Sequence, residues 1–431
     1  MGGIVVSLTL ILSGLAPLEE QQKEPLTLED CWRIAEENHG SLIAARGNLR
    51  SAEASITVAR APLIPQLGFG GTFFRGGVIG QQTGFTQRRF GVTETRQYSL
   101  SADWTLWDGG RTQERVRQAK AQVRSLQSTL EDTRQSVLFN VTRAYFDLLR
   151  AQRLASLAEE QLQSAQGHLK LVNARIEVGE AAAIDRYPVE VEVANARLNL
   201  LTARNQVRIA ANALANAMGL KSGTSLVLAD VPEPQIEPVD LEAALRTAFL
   251  RRPDLRRLES QMEAARAALN LARIEQRPLL NLASSLEEGL GESATRRRWQ
   301  ISASLTFPIF DAGAARAGVE QAKASLEAVQ ASYEQLRKDI EAEVEEAYLL
   351  LTNAQERIVA SRALVEQARR NLEAANEKYR LGLAIVLEIV DAQVAFFNAQ
   401  VNLIQAIYDH HIARAQLERA QGILASAQGK E

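Results

Sequence analysis

The sequence predicts a mainly helical chain with a membrane-type β part: a duplicated unit in which long coiled-coil helical hairpins are interrupted by strands, four per chain. Three observations predict it. The chain repeats itself over most of its length. Each copy carries a stripe of apolar and small residues at steps of three and four over about 65 residues. Just before each stripe the apolar period switches from 3.6 to 2.

The repeat comes first because it organises the rest. Leu28-Glu29, Ala35 and Leu42 return as Leu241-Glu242, Ala248 and Leu255, and Ala59-Arg60 and Pro65 return as Ala272-Arg273 and Pro278, all 213 positions apart. From Trp107-Asp108-Gly109-Gly110 against Phe310-Asp311-Ala312-Gly313 the offset is 203. It stays so through Ala144-Tyr145 against Ala347-Tyr348, Gly179 against Gly382 and Gly219 against Gly422. One loop between Pro65 and Trp107 is therefore ten residues longer in the first copy. The expected organisation is a signal-like segment at 1–18, a first repeat at 26–220, a linker at 221–239 holding Pro232, Pro234 and Pro238, a second repeat at 240–423, and a tail at 424–431. Each repeat reads as a helix, two strands, a very long helix, a turn at glycine and a further helix.

The long helices follow from their stripes. Val116, Ala119, Val123, Leu126 and Leu130 open a series that runs to Ile176, and Val319, Ala322, Leu326, Val329 and Tyr333 open its counterpart, which runs to Tyr379. Steps of three and four trace a coiled-coil seam. The doubled step of four from Val137 to Val141 is a stutter, which locally unwinds the supercoil. At roughly 1.5 Å per residue each rod is near 100 Å long, far beyond what a globular domain needs.

The strands are expected at about 66–75, 97–107, 279–288 and 298–309. Tyr98, Leu100, Ala102, Trp104 and Leu106 alternate with Ser99, Ser101, Asp103 and Thr105, and Trp299, Ile301, Ala303 and Leu305 alternate with Gln300, Ser302 and Ser304. About ten residues with one apolar and one small-polar face is the pattern of a transmembrane barrel strand. A water-facing sheet packed on one side reads the same way. Trp104, Trp107 and Trp299 suit an interfacial aromatic belt. Asp108 and Asp311 can cap the helices that follow. Four strands cannot close a barrel, and in lipid every backbone group must be paired, so closure demands other subunits. Three chains bring twelve strands.

Composition excludes several classes. The formal net charge of −3 offers no basic surface for nucleic acid. Cys31 is alone, so no internal disulfide forms, and it reads as a small buried residue. Ile4 to Leu15 is apolar but too short to span a bilayer, as in a signal-peptide core. No Gly-rich phosphate loop with Lys-Ser/Thr is present. His39, His168, His410 and His411 lack acidic or cysteine partners at metal-ligand spacing. The reading is of no enzyme, no metal site and no cofactor.

Lys378-Tyr379-Arg380-Leu381-Gly382 followed by Glu388-Ile389-Val390-Asp391-Ala392-Gln393 resembles the TolC family of outer-membrane efflux proteins, over about residues 26 to 423. The resemblance implies a homotrimer. Four strands per subunit would form a twelve-stranded barrel in the outer membrane of a Gram-negative bacterium, and the helices a tube through the periplasm. It implies as partners outer-membrane lipid, a periplasmic adaptor (membrane fusion) protein and an inner-membrane transporter, with nucleic acid excluded. By position, Asp185 and Tyr379 match a linked pair that closes the family's aperture, and Glu388 and Asp391 match its acidic rings. Ala384 stands where the family member compared has a latching arginine. The docking tips would be Arg175, Val178, Gly179 and Glu180 in the first copy, and Lys378, Arg380, Leu381, Gly382 and Leu383 in the second. Asp185 also reads as a helix cap, Glu388 and Asp391 as solvated face residues, and Tyr379 as core. The function expected is the passive exit duct of a tripartite efflux pump. The duct of a type I protein secretion system, a coiled-coil scaffold without a pore, and the adaptor itself are the alternatives.

Overall fold

The computed structural model describes residues 25–78, 91–291 and 295–424. The signal-like segment lies outside the described residues, as does the expected tail beyond Leu424. In chain order the elements are α1 (Leu28–Asn38), α2 (Gly40–Arg60), β1 (Gln66–Val78), β2 (Gly91–Trp107), α3 (Arg111–Glu177) and α4 (Arg186–Ala217), then α5 (Leu241–Arg251), α6 (Pro253–Ile274), β3 (Leu279–Gly291), β4 (Thr295–Thr306), α7 (Ala314–Arg380) and α8 (Val386–Ala420). The second series repeats the first. Both long helices have 67 residues.

The single helix expected at the start of each copy is two. His39 and Arg252 take extended backbone between the halves. Arg252 precedes Pro253, whose ring disfavours helix in the residue before it. A packing contact holds each break. Gly219, past the end of α4, lies on the Asn38–His39 break, where a Cβ would come within 2.7 Å of the Asn38 carbonyl oxygen. Gly422, past α8, lies on Arg251–Arg252 in the same way. Both glycines have positive φ, 74° in each case. The glycine is thus needed twice over, for φ and for closeness.

The strands form one antiparallel sheet in the order β1-β2-β3-β4. They extend past the expected ends, to Val78, back to Gly91 and to Gly291, because pairing outlasts the apolar alternation. β4 is displaced instead, and stops at Thr306: Pro308 has no N–H to give a ladder. A bulge between Thr105 and Trp107 brings Trp107 opposite Leu280, onto the apolar face. The Trp104 indole donates to the Leu63 carbonyl at 3.1 Å and ties the sheet to the end of α2.

Each sheet-to-helix joint is capped as the aspartates predict. Asp108 accepts from the Gly110 and Thr112 amides at 2.9 and 2.5 Å, and Asp311 from Gly313 and Ala315 at 3.0 and 2.8 Å. Burial raises both carboxyls, most strongly at Asp108, but these bonds outweigh it and hold both below the usual aspartate range. The cores lie along the helices. Cys31, Val141, Tyr145, Phe146 and Leu214 build the first, and Ala248, Ile340, Val344 and Leu351 the second. Burial, with Asp30 and Glu29 nearby, pushes the Cys31 thiol up to about 12, so it stays protonated and inert.

Candidate functional site at the hairpin tips

The site is built where each long helix reverses. After α3 the Glu180 amide donates to the Arg175 carbonyl at 2.8 Å and Gly179 to Ile176 at 3.1 Å. After α7, Leu383 donates to Lys378 at 2.8 Å and Gly382 to Tyr379 at 3.0 Å. This crossed pair of bonds ends a helix on a left-handed residue. Gly179 and Gly382 supply it, at φ 79° and 73°. Around them Val178, Leu381 and Leu383 are exposed, with Glu180, Lys378 and Arg380. Ile184, Tyr187 and Ile385 are also exposed there and were not anticipated, because they lie just before or at the starts of α4 and α8 and belong to no stripe.

Arg175, expected among the docking-tip residues, also joins the two hairpins. Its guanidinium donates to the Tyr379 carbonyl at 3.2 Å and the Arg380 carbonyl at 3.5 Å, and lies 4.7 Å from the Tyr379 ring centroid. A cation among the last carbonyls of α7 also suits that helix dipole. Beneath it Val172 and Val189 pack with Tyr379, Val386, Ile389 and Val390, so one small core serves both tips.

Within one chain, Asp185 and Tyr379 are not linked. The Asp185 carboxylate turns back to accept from the Ala182 amide at 3.2 Å, closing the turn before α4. The Tyr379 hydroxyl is buried without a hydrogen-bond partner. His168 lies edge-on to the Tyr379 ring at 6.1 Å, buried with both nitrogens unpartnered, and Asn173 Oδ1 is in the same condition. Burial holds the His168 imidazole below the usual histidine range. Glu192 is buried on α4, accepts from Gln161 at 3.3 Å, and is raised by burial against that bond. Little in the stripe pattern signals this polar seam, since His168 sits beside the stripe position Leu169. Glu388 and Asp391 are exposed, one turn apart near the start of α8, so they share a face. Ala384 is half-buried against the tip core and offers no donor.

A sheet with an apolar outer face, joined through capped helices to hairpins that reverse about 100 Å away, defines a membrane channel-tunnel subunit. The chain belongs to the outer membrane efflux protein family, whose sequence profile matches residues 32–220 and 244–423. It is an outer-membrane efflux channel protein, of a family of channel-forming transport proteins. Among relatives, the probable efflux pump outer membrane protein TtgC of Pseudomonas putida is 27% identical, covering 89% of this chain and 80% of its own. Protein CyaE of Bordetella pertussis is 29% identical, covering 89% and 79%. Among solved structures, a membrane protein of Pseudomonas aeruginosa superposes with a TM-score of 0.78 at 25% identity, over 92% of this chain and 93% of that one. The Neisseria gonorrhoeae MtrE outer membrane channel in its open state does so at 0.77 and 22%, over 92% and 89%.

Proposed function

We propose that the chain is one of three identical subunits of a passive duct. The exposed tips dock on a periplasmic adaptor, which couples the duct to an inner-membrane transporter of a tripartite pump. One observation carries the assembly: the chain ends, laterally, on unpaired copies of contacts it makes internally. α3 packs between α2 and α6, whereas α7 packs on α6 with no second helix of that kind beside it. β2 pairs with β3, whereas β4 and β1 each keep a free edge among the described residues. A neighbouring chain offering β1 and α2 to β4 and α7 supplies both. Three such contacts close a ring of twelve strands, which leaves no edge in lipid. In this reading 26–220 and 240–423 are equivalent thirds-of-a-ring halves, joined by 221–239.

The duct takes its energy from its partners and catalyses nothing itself. Glu388 and Asp391, if turned to the axis, form rings of three carboxylates, which repel by about 1 kcal/mol per pair at 4 Å even in water. The Arg175 lock and the tip core oppose that repulsion. The test has two parts. Bulky residues at Gly179 and Gly382 should abolish export while leaving trimer and membrane insertion intact. Alanine at Glu388 and Asp391 should lower cation preference in planar-bilayer recordings. Unchanged export would refute tip docking, and unchanged ion preference would place the gate elsewhere.

A further inference from the structure

We propose that the outward face of the sheet carries, at its end remote from the helices, a belt that binds phosphorylated lipid headgroups, built from Arg75, Arg96 and Arg297. The inference rests on the barrel reading above, since it takes the apolar face to be the lipid face.

Register fixes which side chains share that face, because paired residues in an antiparallel ladder point the same way. Starting at the helix end, the cross-strand rows are Trp107, Leu280 and Leu305; then Trp104, Leu282 and Ala303; then Leu67, Ala102, Ser284 and Ile301; then Phe69, Leu100, Leu286 and Trp299. None of these residues is charged. The fifth row is Gly71, Tyr98, Glu288 and Arg297, the sixth contains Phe73, Arg96 and Leu290, and Arg75 pairs with Glu94 beyond it. Charge thus appears on this face only from the fifth row outward, and within three successive rows it is present on every strand.

That level is where the hydrocarbon should end. Successive rows are two residues apart, about 6.7 Å along a strand. The arginines lie four to six such steps from the first row, which at a tilt of about 40° is a rise of roughly 20–30 Å, around the usual 25 Å height of the apolar band of an outer-membrane barrel. An arginine on the lipid face costs about 2–4 kcal/mol at mid-bilayer and about 0–1 near the interface. Phe69 stacks on Tyr98 just beneath, with centroids 6.4 Å apart, as an interfacial aromatic pair should.

Three arginines and two glutamates occupy the level, so the belt is net cationic. Arg75 pairs with Glu94 at 3.2 Å and Arg297 with Glu288 at 3.1 Å, both arginines remaining largely exposed. Exposed pairs contribute at most about 1 kcal/mol and leave guanidinium N–H groups free. Arg96 is exposed and has no carboxylate partner among the described residues; its guanidinium stands 5.9 Å from the Phe73 ring centroid. A planar fork held over an aromatic face at the edge of an apolar wall suits a phosphate carried on an acylated lipid: the fork takes the phosphate bidentately and the wall takes the chains. A free anion would gain only the first of these.

The experiment uses purified full-length trimers in detergent. They are exposed to bis-phosphorylated lipid A, to the same lipid dephosphorylated, and to phosphatidylcholine, with bound lipid counted by native mass spectrometry. Retention of the phosphorylated lipid should exceed that of the dephosphorylated form by about tenfold. Arg96→Gln alone should lower it about threefold, and Arg75→Gln/Arg96→Gln/Arg297→Gln about tenfold or more. Arg296→Gln/Arg298→Gln, on the opposite face, should leave it unchanged. Inorganic phosphate at millimolar concentration should not displace the lipid. Equal retention of the two lipid A forms, undiminished retention by the triple variant, equal loss in the opposite-face variant, or displacement by inorganic phosphate would each overturn the belt. Failure of the wild-type chain to insert into bilayers at all would sink the barrel reading instead.

Discussion

The two long helices have the same length, the same stripe and the same capped start, yet they live in different surroundings. Phe146 on α3 and Leu349 on α7 occupy the same repeat position, and they are 6% and 57% exposed. Phe146 is covered because α8 brings His411 flat against its ring, centroids 4.7 Å apart. Leu349 lies with Leu350 and Thr352 in an open groove edged by Glu345, Glu346 and Glu356. The same contrast holds at the tips. Arg175 grips α7, while Lys378 at the equivalent place in the second copy has no hydrogen bond or ion pair from its side chain among the described residues. Duplication copies the element; in the ring proposed above, position decides whether its partner comes from within the chain or from the next subunit.

The largest effect should come from a matched pair of substitutions at these positions. Leu349→Glu/Leu350→Glu should leave the helical content of the monomer unchanged and abolish the trimer in light scattering. Phe146→Ala should instead cost the subunit itself about 3–5 kcal/mol of stability, as loss of a buried aromatic does. A trimer that survives the double glutamate change would show that this flank of α7 is not the subunit contact.

Acid should act on the covered helix and spare the uncovered one. Burial first, then His410 and Arg414, depress the His411 imidazole to about 4. A group depressed in the fold stabilises it while neutral, above the unfolded value near 6.5, and that stability is lost as pH falls from there to about 4. The loss should be about 3 kcal/mol in chemical denaturation followed from pH 7 to pH 4. His411→Phe keeps the ring stack and should flatten the slope; an unchanged slope would assign it to other groups.

At the tips, Arg175→Met should cost about 2 kcal/mol, from two charged hydrogen bonds and a cation–π contact, and raise single-trimer conductance. Lys378→Met should match it in conductance only if Lys378 grips the next subunit, and should have no effect on the isolated chain.

Tyr379→Phe should be the smallest change. It removes a hydroxyl that has no partner in the chain, so thermal stability should stay within about 0.5 kcal/mol or rise. A clear fall in trimer stability would mean that the hydroxyl finds its partner across a subunit boundary.

Much of this was legible because it is local. Glycine at the reversals, aspartate before the helices and alternation in the strands each express a short-range preference. What was hidden depends on distant contacts. The breaks at His39 and Arg252 are fixed by glycines about 180 and 170 residues further on, Gly219 and Gly422, although Pro253 did mark one of them. The role of Arg175 depends on carbonyls 204 and 205 residues away. The Tyr379 hydroxyl, the His168 nitrogens and Asn173 Oδ1 differ from ordinary seam atoms only in lacking a hydrogen bond among the described residues. The extra length of the strands is set by pairing, and their outer ends are too polar and glycine-rich to signal it.

The order of the strands has a consequence for how the subunit comes together. β1 with β2, and β3 with β4, are neighbours along the chain, and each pair can zip as a hairpin with little loop-closure entropy to overcome. The β2–β3 ladder is different, because α3, α4, α5 and α6 all lie between its two strands. It cannot register until both hairpins and the rods between them are in place. Contacts of such high sequence separation form slowly. The seam between the two halves of the sheet is therefore the late step of folding within one chain, and in the proposed ring the β4–β1 seam between chains comes later still. Two exposed hairpin edges persist in the meantime, and for that interval the nascent subunit depends on being kept from pairing with the wrong copy.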